Sequence, residues 1–212
     1  MKITKFGHCC LLIEENGLKI LTDPGMYSNA QDEILDIDVV LITHEHTDHL
    51  HIESLKHVLK NNSSARVITN NDVGKILDKV GIIYEIVEDM QKIDINGIEI
   101  EGYGKKHAVM YNSLPLVDNT GYFIGNRLFY PGDALTLPRK PVDILALPVA
   151  GPWLTLSDSI DYARKINPKK CFPVHEGILK SPGTTHRIPP QILEPLGIKF
   201  IVIEEGKSFD FE

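Results

Sequence analysis

Residues 38–49 of the chain read D-V-V-L-I-T-H-E-H-T-D-H and combine an apolar run with a cluster of histidines. Its first half is an almost unbroken apolar run, which is typical of a strand that other layers cover on both faces. Its second half places three histidines and an aspartate directly after that strand. In α/β proteins, ligands bind beyond the carboxyl ends of the strands. The stretch therefore predicts a buried strand that leads into a candidate functional site.

The side chains of this cluster are of the types that bind transition metals. Imidazole nitrogen and carboxylate oxygen together suit zinc, and they also suit iron or manganese. His44 and His46 are two residues apart, so in an extended segment they point the same way and can hold one ion. Asp48 and His49 lie at the turn into a predicted helix and can face a second ion. The alternative is a histidine-rich surface turn, which the specific spacing disfavours.

The rest of the chain alternates between hairpins and strand–helix–strand units. Asn16-Gly17 and Asn96-Gly97 predict tight hairpin turns. Each half of the sequence then continues into apolar strands separated by helical patterns. The second half ends with a short helix at 189–196 and a strand at 199–203. This order predicts one domain over residues 1–212, an α/β protein folded as a four-layer αββα sandwich.

Composition and charge limit the class of partner. Lys and Arg number 22 and Asp and Glu 29, which gives a net charge of -7. An acidic surface repels nucleic-acid phosphates and anionic lipids, so we expect neither nucleic acid nor a membrane as a partner. The first residues carry no leader-like apolar segment. With three cysteines that form no metal-binding spacing, the sequence predicts a cytoplasmic protein whose thiols are buried and reduced.

Four further motifs accompany the histidine cluster. They are G-H-C at 7–9, T-D-P-G at 22–25, Y-P-G-D-A at 130–134 and F-P-V-H at 172–175. Together with H-x-H-x-D-H at 44–49, they resemble the signature of the metallo-β-lactamase fold superfamily over nearly the whole chain. The G-H-C motif and the loop P-V-A-G at 148–151 resemble its small branch that contains ascorbate-6-phosphate lactonase. The resemblance implies the four-layer sandwich and a metal-dependent hydrolase.

The same resemblance implies a role for each matching residue. One ion would be held by His44, His46 and His107, and a second ion by Asp48, His49 and His175. Asp133 and a hydroxide would lie between the two ions, and Asp48 and Asp133 would be the catalytic carboxylates. The implied cofactors are two divalent transition-metal ions, zinc in the first place and manganese or iron as alternatives.

Some of these assignments have alternatives that the sequence leaves open. His107 follows Lys105-Lys106, where the superfamily often shows a Gly-His-Thr-Pro-Gly-like stretch, so a surface histidine is the alternative. Asp133 could close a turn after Pro131-Gly132. Asp23 is expected to accept a hydrogen bond from a ligand N–H, with a β-turn carboxylate as the alternative.

Other residues remain open between a role at the site and a structural one. His8 fits either a hydrogen bond to a metal ligand or plain core packing. Trp153 and Tyr111 could line the mouth of a pocket or cover the edge of the core. His186 is expected on an exposed loop.

The expected reaction is hydrolysis of a small ester, lactone or phosphodiester by a metal-activated hydroxide. A di-iron redox protein and a catalytically idle metal-binding or partner-binding module are the alternatives. Cations lie near the predicted ligands in the sequence, and Lys106 and Arg187 in particular are expected to bind an anionic substrate. The sequence leaves the substrate, the native metal and a homo-oligomeric state undetermined.

Overall fold

The computed structural model describes residues 1–28 and 30–212, and it contains two seven-stranded sheets. The strands of the first half are β1 (Lys2–Lys5), β2 (Leu11–Glu15), β3 (Leu18–Thr22), β4 (Val39–Leu41), β5 (Arg66–Thr69), β6 (Glu85–Ile86) and β7 (Lys92–Ile95). Those of the second half are β8 (Ile98–Tyr103), β9 (Gly121–Ile124), β10 (Leu128–Tyr130), β11 (Ile144–Pro148), β12 (Lys170–Val174), β13 (Lys199–Phe200) and β14 (Ser208–Asp210). The first sheet has the order β14-β1-β2-β3-β4-β5-β6, and the second has the order β13-β12-β11-β10-β9-β8-β7.

Four α-helices cover the outer faces of the two sheets. They are α1 (Ile52–Asn61), α2 (Asn71–Val80), α3 (Leu156–Ile166) and α4 (Gly183–Leu193), with short 3-10 helices at Ala30–Glu33 and Glu194–Leu196. Each α-helix has an apolar side that supplies buried residues to the core, for example Leu55 of α1, Leu77 of α2 and Ala163 of α3. The predicted four-layer αββα sandwich is therefore confirmed.

Three apolar clusters hold these layers together. The central cluster combines both sheets, for instance Ile20 and Leu41 of the first sheet with Tyr130 and Ala146 of the second. One outer cluster packs α1 and α2 on the first sheet, and the other packs α3 and α4 on the second. Side chains alternate between the two faces of a strand, and for this reason β4 supplies Val39 and Leu41 to the centre and Val40 to the outer layer.

The hairpin turns form where the sequence predicts them. Asn16 and Gly17 have φ angles of 48° and 84°, and Asn96 and Gly97 have 53° and 83°. Both turns thus place two consecutive residues in the left-handed region, which Asn and Gly enter at low cost. The β2–β3 and β7–β8 registers follow from these turns.

Two elements predicted near the carboxyl terminus are present with different bounds. The helix predicted at 189–196 is α4 at Gly183–Leu193, with Pro189 and Pro190 inside it rather than at its start. Proline favours the first turn of a helix, but burial of Pro189 and Leu193 against the sheet outweighs that local preference here. The strand predicted at 199–203 is shortened to β13, and β14, which the sequence pattern did not predict, pairs with β1.

The topology brings the functional loops to one end of the sandwich. β3 runs parallel to β4, and β10, β11 and β12 run parallel to one another. Asp23 and His44 follow the carboxyl ends of β3 and β4, and Asp133 and His175 follow β10 and β12. The two sheets thereby direct polar residues from distant parts of the chain to a shared edge.

Candidate metal centre

A first group of four donors lies at this edge. It consists of His44, His46, His107 and Asp133, and one donor atom of each lies within 4.8 Å of those of the others. His107 is buried, and its Nδ1–H donates to the Ala108 carbonyl at 2.6 Å. This bond leaves its Nε2 as an acceptor nitrogen 3.3 Å from Asp133 Oδ2. The surface-histidine alternative for His107 does not agree with this position.

A second group of four donors lies beside the first. It consists of His8, Asp48, His49 and His175, again with donor atoms within 4.8 Å of one another. His175 Nε2 lies 2.8 Å from Asp133 Oδ2 and 3.6 Å from Asp48 Oδ2. His49 Nε2 lies 3.1 Å from Asp133 Oδ1. Asp133 therefore contacts residues of both groups, and the structure brings all seven predicted ligands together.

The buried polar atoms of the two groups fit a bound cation. Among the described residues, His49 Nε2, His107 Nε2, His175 Nε2 and Asp133 Oδ1 are buried without a hydrogen-bond partner. Leaving one such atom unsatisfied costs about 1–3 kcal/mol. A metal ion would satisfy these atoms together, and imidazole with carboxylate is a donor set that zinc, iron and manganese accept.

In the metal-free centre, the positive charge of His49 is stabilised by the negative charges of nearby carboxylates. Burial opposes charge on His49, but the Asp133 and Asp23 carboxylates outweigh it and hold the pKa of His49 well above its usual value. Burial likewise raises the pKa of Asp133, but His49 and His175 outweigh burial and hold that pKa well below its usual range. The pKa of His44 is lowered by its burial, so this imidazole is neutral. A metal ion that binds here replaces the proton on His49, because a ligating imidazole must be neutral.

Asp23 lies behind His49, one of the predicted ligands. It is fully buried, and its Oδ2 accepts hydrogen bonds from His49 Nδ1–H at 2.7 Å, from the Thr43 hydroxyl at 2.7 Å and from the Tyr130 hydroxyl. Its Oδ1 accepts the Thr43 backbone N–H at 2.8 Å. The bond to His49 keeps a proton on Nδ1, so Nε2, which faces Asp133, is the nitrogen that gives up its proton when a metal ion binds. Asp23 therefore contacts His49 rather than closing a surface turn.

The geometry also separates the two alternatives for His8. The Gly177 N–H donates to His8 Nδ1 at 3.2 Å, so the ring proton resides on Nε2. That Nε2–H donates to Asp48 Oδ2 at 3.1 Å. Burial lowers the pKa of His8, which keeps the ring neutral despite the carboxylate. His8 therefore contacts a predicted ligand and is not merely packed in the core.

Three residues of this site have a strained backbone. His8, Asp23 and His175 have φ angles of 43°, 36° and 68°, in the left-handed region that most residues avoid. Each such residue costs on the order of 1–3 kcal/mol and persists only where its surroundings fix it. Gly25 has a related role, because a Cβ on this residue would lie 1.8 Å from the Asp48 carbonyl oxygen. The T-D-P-G motif thus brings one loop against the loop that carries Asp48.

Trp153 is the residue whose role the sequence left most open. Its indole N–H donates to Asp133 Oδ2 at 2.9 Å. The ring packs edge-on against His107 and His175, with centroid distances of 5.6 and 5.7 Å. Gly151 makes room for this ring, since a Cβ there would lie 2.8 Å from the indole nitrogen. Trp153 is thus part of the centre, whereas Tyr111 lies exposed over a small neighbouring cavity.

We expect Trp153→Phe to weaken metal binding about tenfold, because it removes the N–H that orients Asp133 but keeps an aromatic ring. The measurement is the dissociation constant of the metal in competition with a coloured chelator. Circular dichroism should show an unchanged fold. A phenylalanine variant that binds metal as tightly as the unchanged protein would contradict this role.

Residues of both donor groups line an open cavity of about 480 Å³. This volume is typical of small-molecule sites. Its lining residues are Tyr27, Glu45, His46, Thr47, Asp48, His107, Met110, Asp133, Pro152, Trp153, His175 and Ile178. The sequence did not predict Tyr27, Glu45, Met110 or Ile178, because nothing in their local pattern marks them.

The two cations predicted to bind substrate lie elsewhere. Lys106 is exposed and forms an ion pair with Asp118 beside a different cavity. Successive side chains of an extended segment point to opposite sides, so the buried position of His107 sends Lys106 outward. Arg187 is exposed on α4, where its Nε donates to the Gly183 carbonyl at 3.3 Å. The prediction of an anionic substrate loses this support.

His186 also departs from its predicted position on an exposed loop. It belongs to α4 and is half-buried, and its Nε2 lies 3.2 Å from Glu176 Oε1.

Among the helices that the structure describes, none has the length and apolar character needed to cross a membrane.

Comparisons with known proteins agree with the fold and the donor set. Residues 2–175 match the family described as beta-lactamase superfamily domain. Protein Rv0786c of Mycobacterium tuberculosis is 33% identical over 216 residues, covering 100% of both chains. A metal-dependent hydrolase of Staphylococcus saprophyticus is 26% identical and covers 82% of this chain and 85% of its own.

A solved structure shows the same architecture. Igni18, a metallo hydrolase from the archaeon Ignicoccus hospitalis, superposes with a TM-score of 0.76 at 21% identity, covering 100% of this chain and 99% of its own. The predicted metallo-β-lactamase fold and the assignment as a metal-dependent hydrolase are confirmed. The chain belongs to the beta-lactamase superfamily and is a metal-dependent hydrolase of the metallo-β-lactamase fold.

Proposed function

We propose that the protein hydrolyses a small ester, lactone or phosphodiester with a hydroxide activated at a dinuclear metal site. The observation that supports this proposal is the position of Asp133 between two groups of donors. Seven ligands are too many for one tetrahedral ion, and a carboxylate that contacts both groups suits a bridging role.

Each group would hold one ion. His44, His46 and His107 would hold the first, and Asp48, His49 and His175 the second, with Asp133 shared. When bound, a pair of divalent ions lowers the pKa of a shared water toward neutrality and polarises the substrate oxygen. Zinc is the first choice for such a donor set, with manganese or iron as alternatives.

The chain's own carboxylates then direct the water. Burial raises the pKa of Asp48, but the hydrogen bond from His8 and the neighbouring His49 outweigh it and lower that pKa to about 2. Asp48 is therefore ionised and its Oδ2 is held in place by His8 at 3.1 Å. We assign Asp48 and Asp133 to orient the water, and Asp48 to accept the proton that this water gives up and to pass it to the leaving group.

The remaining residues keep these groups in place. Asp23 fixes the His49 tautomer and the Ala108 carbonyl fixes that of His107. Trp153 lines the cavity, and its indole N–H holds Asp133 Oδ2. Preorganised donors of this kind need no rearrangement when the reaction begins.

The purified protein should contain about two transition-metal ions per chain, and chelation should abolish hydrolysis. The measurement is elemental analysis of protein prepared without added metal, followed on the same sample by a panel of esters, lactones and phosphodiesters. His57→Ala, which changes an exposed histidine paired with Asp32, is the matched control for His175→Ala.

Three outcomes would count against the proposal. At most one ion per chain at saturation, with His175→Ala leaving occupancy unchanged, would refute the dinuclear site. Metal without hydrolysis of any compound would favour an idle binding module. Two irons with a redox-active absorption spectrum and no hydrolysis would favour the di-iron alternative.

We also propose that the protein works in the cytoplasm on a small molecule, with neither nucleic acid nor a membrane as a partner. Its cysteines, Cys9, Cys10 and Cys171, are buried and unbridged. Burial raises the pKa of Cys9 to about 11 and that of Cys171 to about 12. Such thiols are unreactive and suit a reducing compartment.

A further inference from the structure

The walls of the cavity carry negative charge only. Of the lining residues that the structure describes, Glu45, Asp48 and Asp133 are carboxylates, and none is a lysine or an arginine. Two divalent ions would be offset by Asp48, Asp133 and a hydroxide, and Glu45 adds a further negative charge at the wall. A substrate with its own negative charge would therefore find no side-chain cation to hold it.

The mouth of the cavity is apolar. Tyr27, Met110 and Ile178 are 45%, 37% and 42% exposed, and they line the cavity together with Pro152 and Trp153. These five residues, here called the apolar rim, come from four separate loops. Large apolar side chains that gather around a concave site are typical of a surface that buries an apolar ligand group.

We propose that the substrate is an uncharged ester or lactone whose apolar alkyl or aromatic group packs against the apolar rim. This inference rests on the proposed hydrolytic function and names its substrate class. Water is consumed: its oxygen bonds to the carbonyl carbon, the C–O bond to the leaving group breaks, and a proton moves to the leaving oxygen. The products are a carboxylic acid and an alcohol, which remain joined in the case of a lactone.

The proposal predicts a dependence on chain length. Burying one methylene group is worth up to about a fourfold gain in binding. For the metal-loaded protein, kcat/KM for p-nitrophenyl esters should rise about two- to fourfold per methylene from acetate to hexanoate, until the rim is covered. The adipate half-ester, which resembles the hexanoate but ends in a carboxylate, should be cleaved at least about tenfold less efficiently.

Variants of the rim provide the matched comparison. Ile178→Ser should lower the ratio of hexanoate to acetate efficiency at least about threefold, since it removes apolar contact area. Ile83→Ser changes an isoleucine that is 91% exposed and does not line the cavity, so this ratio should be unchanged. Glu45→Gln should raise the efficiency for the adipate half-ester relative to the hexanoate.

A binding experiment tests this substrate class independently of the proposed hydrolytic function. Isothermal titration calorimetry compares 2-octanone with 7-oxooctanoate, which are not hydrolysed. Tighter binding of the neutral ketone, weakened by Ile178→Ser but not by Ile83→Ser, would support the substrate class even if no ester were cleaved. The absence of cleavage would then refute the hydrolytic function but not the preference for an uncharged apolar ligand.

Opposite results overturn the substrate class. A flat dependence on chain length, or equal or better cleavage and binding of the anionic compounds, would refute it while leaving the hydrolase standing. Analytical sedimentation tests a further alternative. If the protein is a dimer and Ile178→Ser dissociates it, the apolar rim binds a second copy of the chain, and that result would also overturn the proposal.

Discussion

Asp133→Asn is expected to lower kcat/KM about 100-fold or more and to reduce metal occupancy, while the fold is retained. The two oxygens of Asp133 face different partners: Oδ1 lies 3.1 Å from His49 Nε2, and Oδ2 lies 2.8 Å from His175 Nε2. An amide replaces one of these oxygens by an NH₂ group, which does not ligate a cation, and it removes the negative charge.

The same variant tests the alternative that Asp133 closes a turn. Asparagine favours that turn geometry as well as aspartate does, so a turn residue would tolerate the change. Among the described residues, the side-chain oxygens of Asp133 accept no backbone N–H, whereas its own N–H donates to Asn119 Oδ1 at 3.0 Å. The structure thus agrees with a ligand rather than a turn.

The experiment measures kcat/KM and ions per chain for Asp133→Asn, with circular dichroism as the check on folding. Asp161→Asn is the control, because Asp161 is an exposed residue of α3 that pairs only with Arg164. Turnover and two bound ions equal to those of the unchanged protein would show that Asp133 has no role beyond the turn.

Asp23→Asn is expected to lower the free energy of unfolding by about 3 kcal/mol and to weaken metal binding at least about tenfold. Four hydrogen bonds from Thr43, His49 and Tyr130 converge on this fully buried carboxylate. Asparagine keeps only one acceptor oxygen, so at least one of these donors would face an NH₂ group, and the change removes the charge that stabilises the His49 imidazolium in the metal-free protein.

The effect on metal binding follows from the tautomer of His49. With asparagine at position 23, the Nδ1–H of His49 faces either a neutral oxygen, which accepts more weakly than a carboxylate, or an NH₂ group. Both weaken the preference for a proton on Nδ1, so a larger share of the rings carries the proton on Nε2, the nitrogen that faces Asp133. A protonated nitrogen does not ligate. Tyr130→Phe removes only one donor to Asp23 and leaves this tautomer in place, so it should cost stability, about 1 kcal/mol, with little change in metal affinity.

Urea unfolding of the metal-free protein and a chelator competition measure the two effects separately. If Asp23→Asn and Tyr130→Phe weaken metal binding equally, the orientation of His49 is not the cause. If Asp23→Asn leaves the unfolding free energy unchanged, the buried network contributes nothing net to stability.

The architecture and four of the seven candidate ligands could be predicted from patterns in the sequence, and the resemblance to the metallo-β-lactamase superfamily supplied His107, Asp133 and His175. Residues 38–43 predicted β4, and the Asn-Gly pairs predicted two hairpins that form as expected. These features depend on local periodicity and turn chemistry, which a single chain displays directly. The spacing of His44, His46, Asp48 and His49 likewise fixes which side chains can share an ion.

Only the tertiary structure decided what surrounds those ligands. The contacts of His8 with Asp48 and of Trp153 with Asp133 join residues 40 and 20 positions apart. The position of Lys106 depends on the alternation of side chains that buries His107. The position of Arg187 depends on α4, whose start the sequence did not predict because Pro189 and Pro190 lie inside the helix. Proximity in sequence says little about orientation, because the faces of strands and helices are chosen by packing against distant layers. For this reason four candidate ligands could be predicted from their spacing and three from the resemblance to a known superfamily, whereas the apolar, negatively charged cavity above them could not.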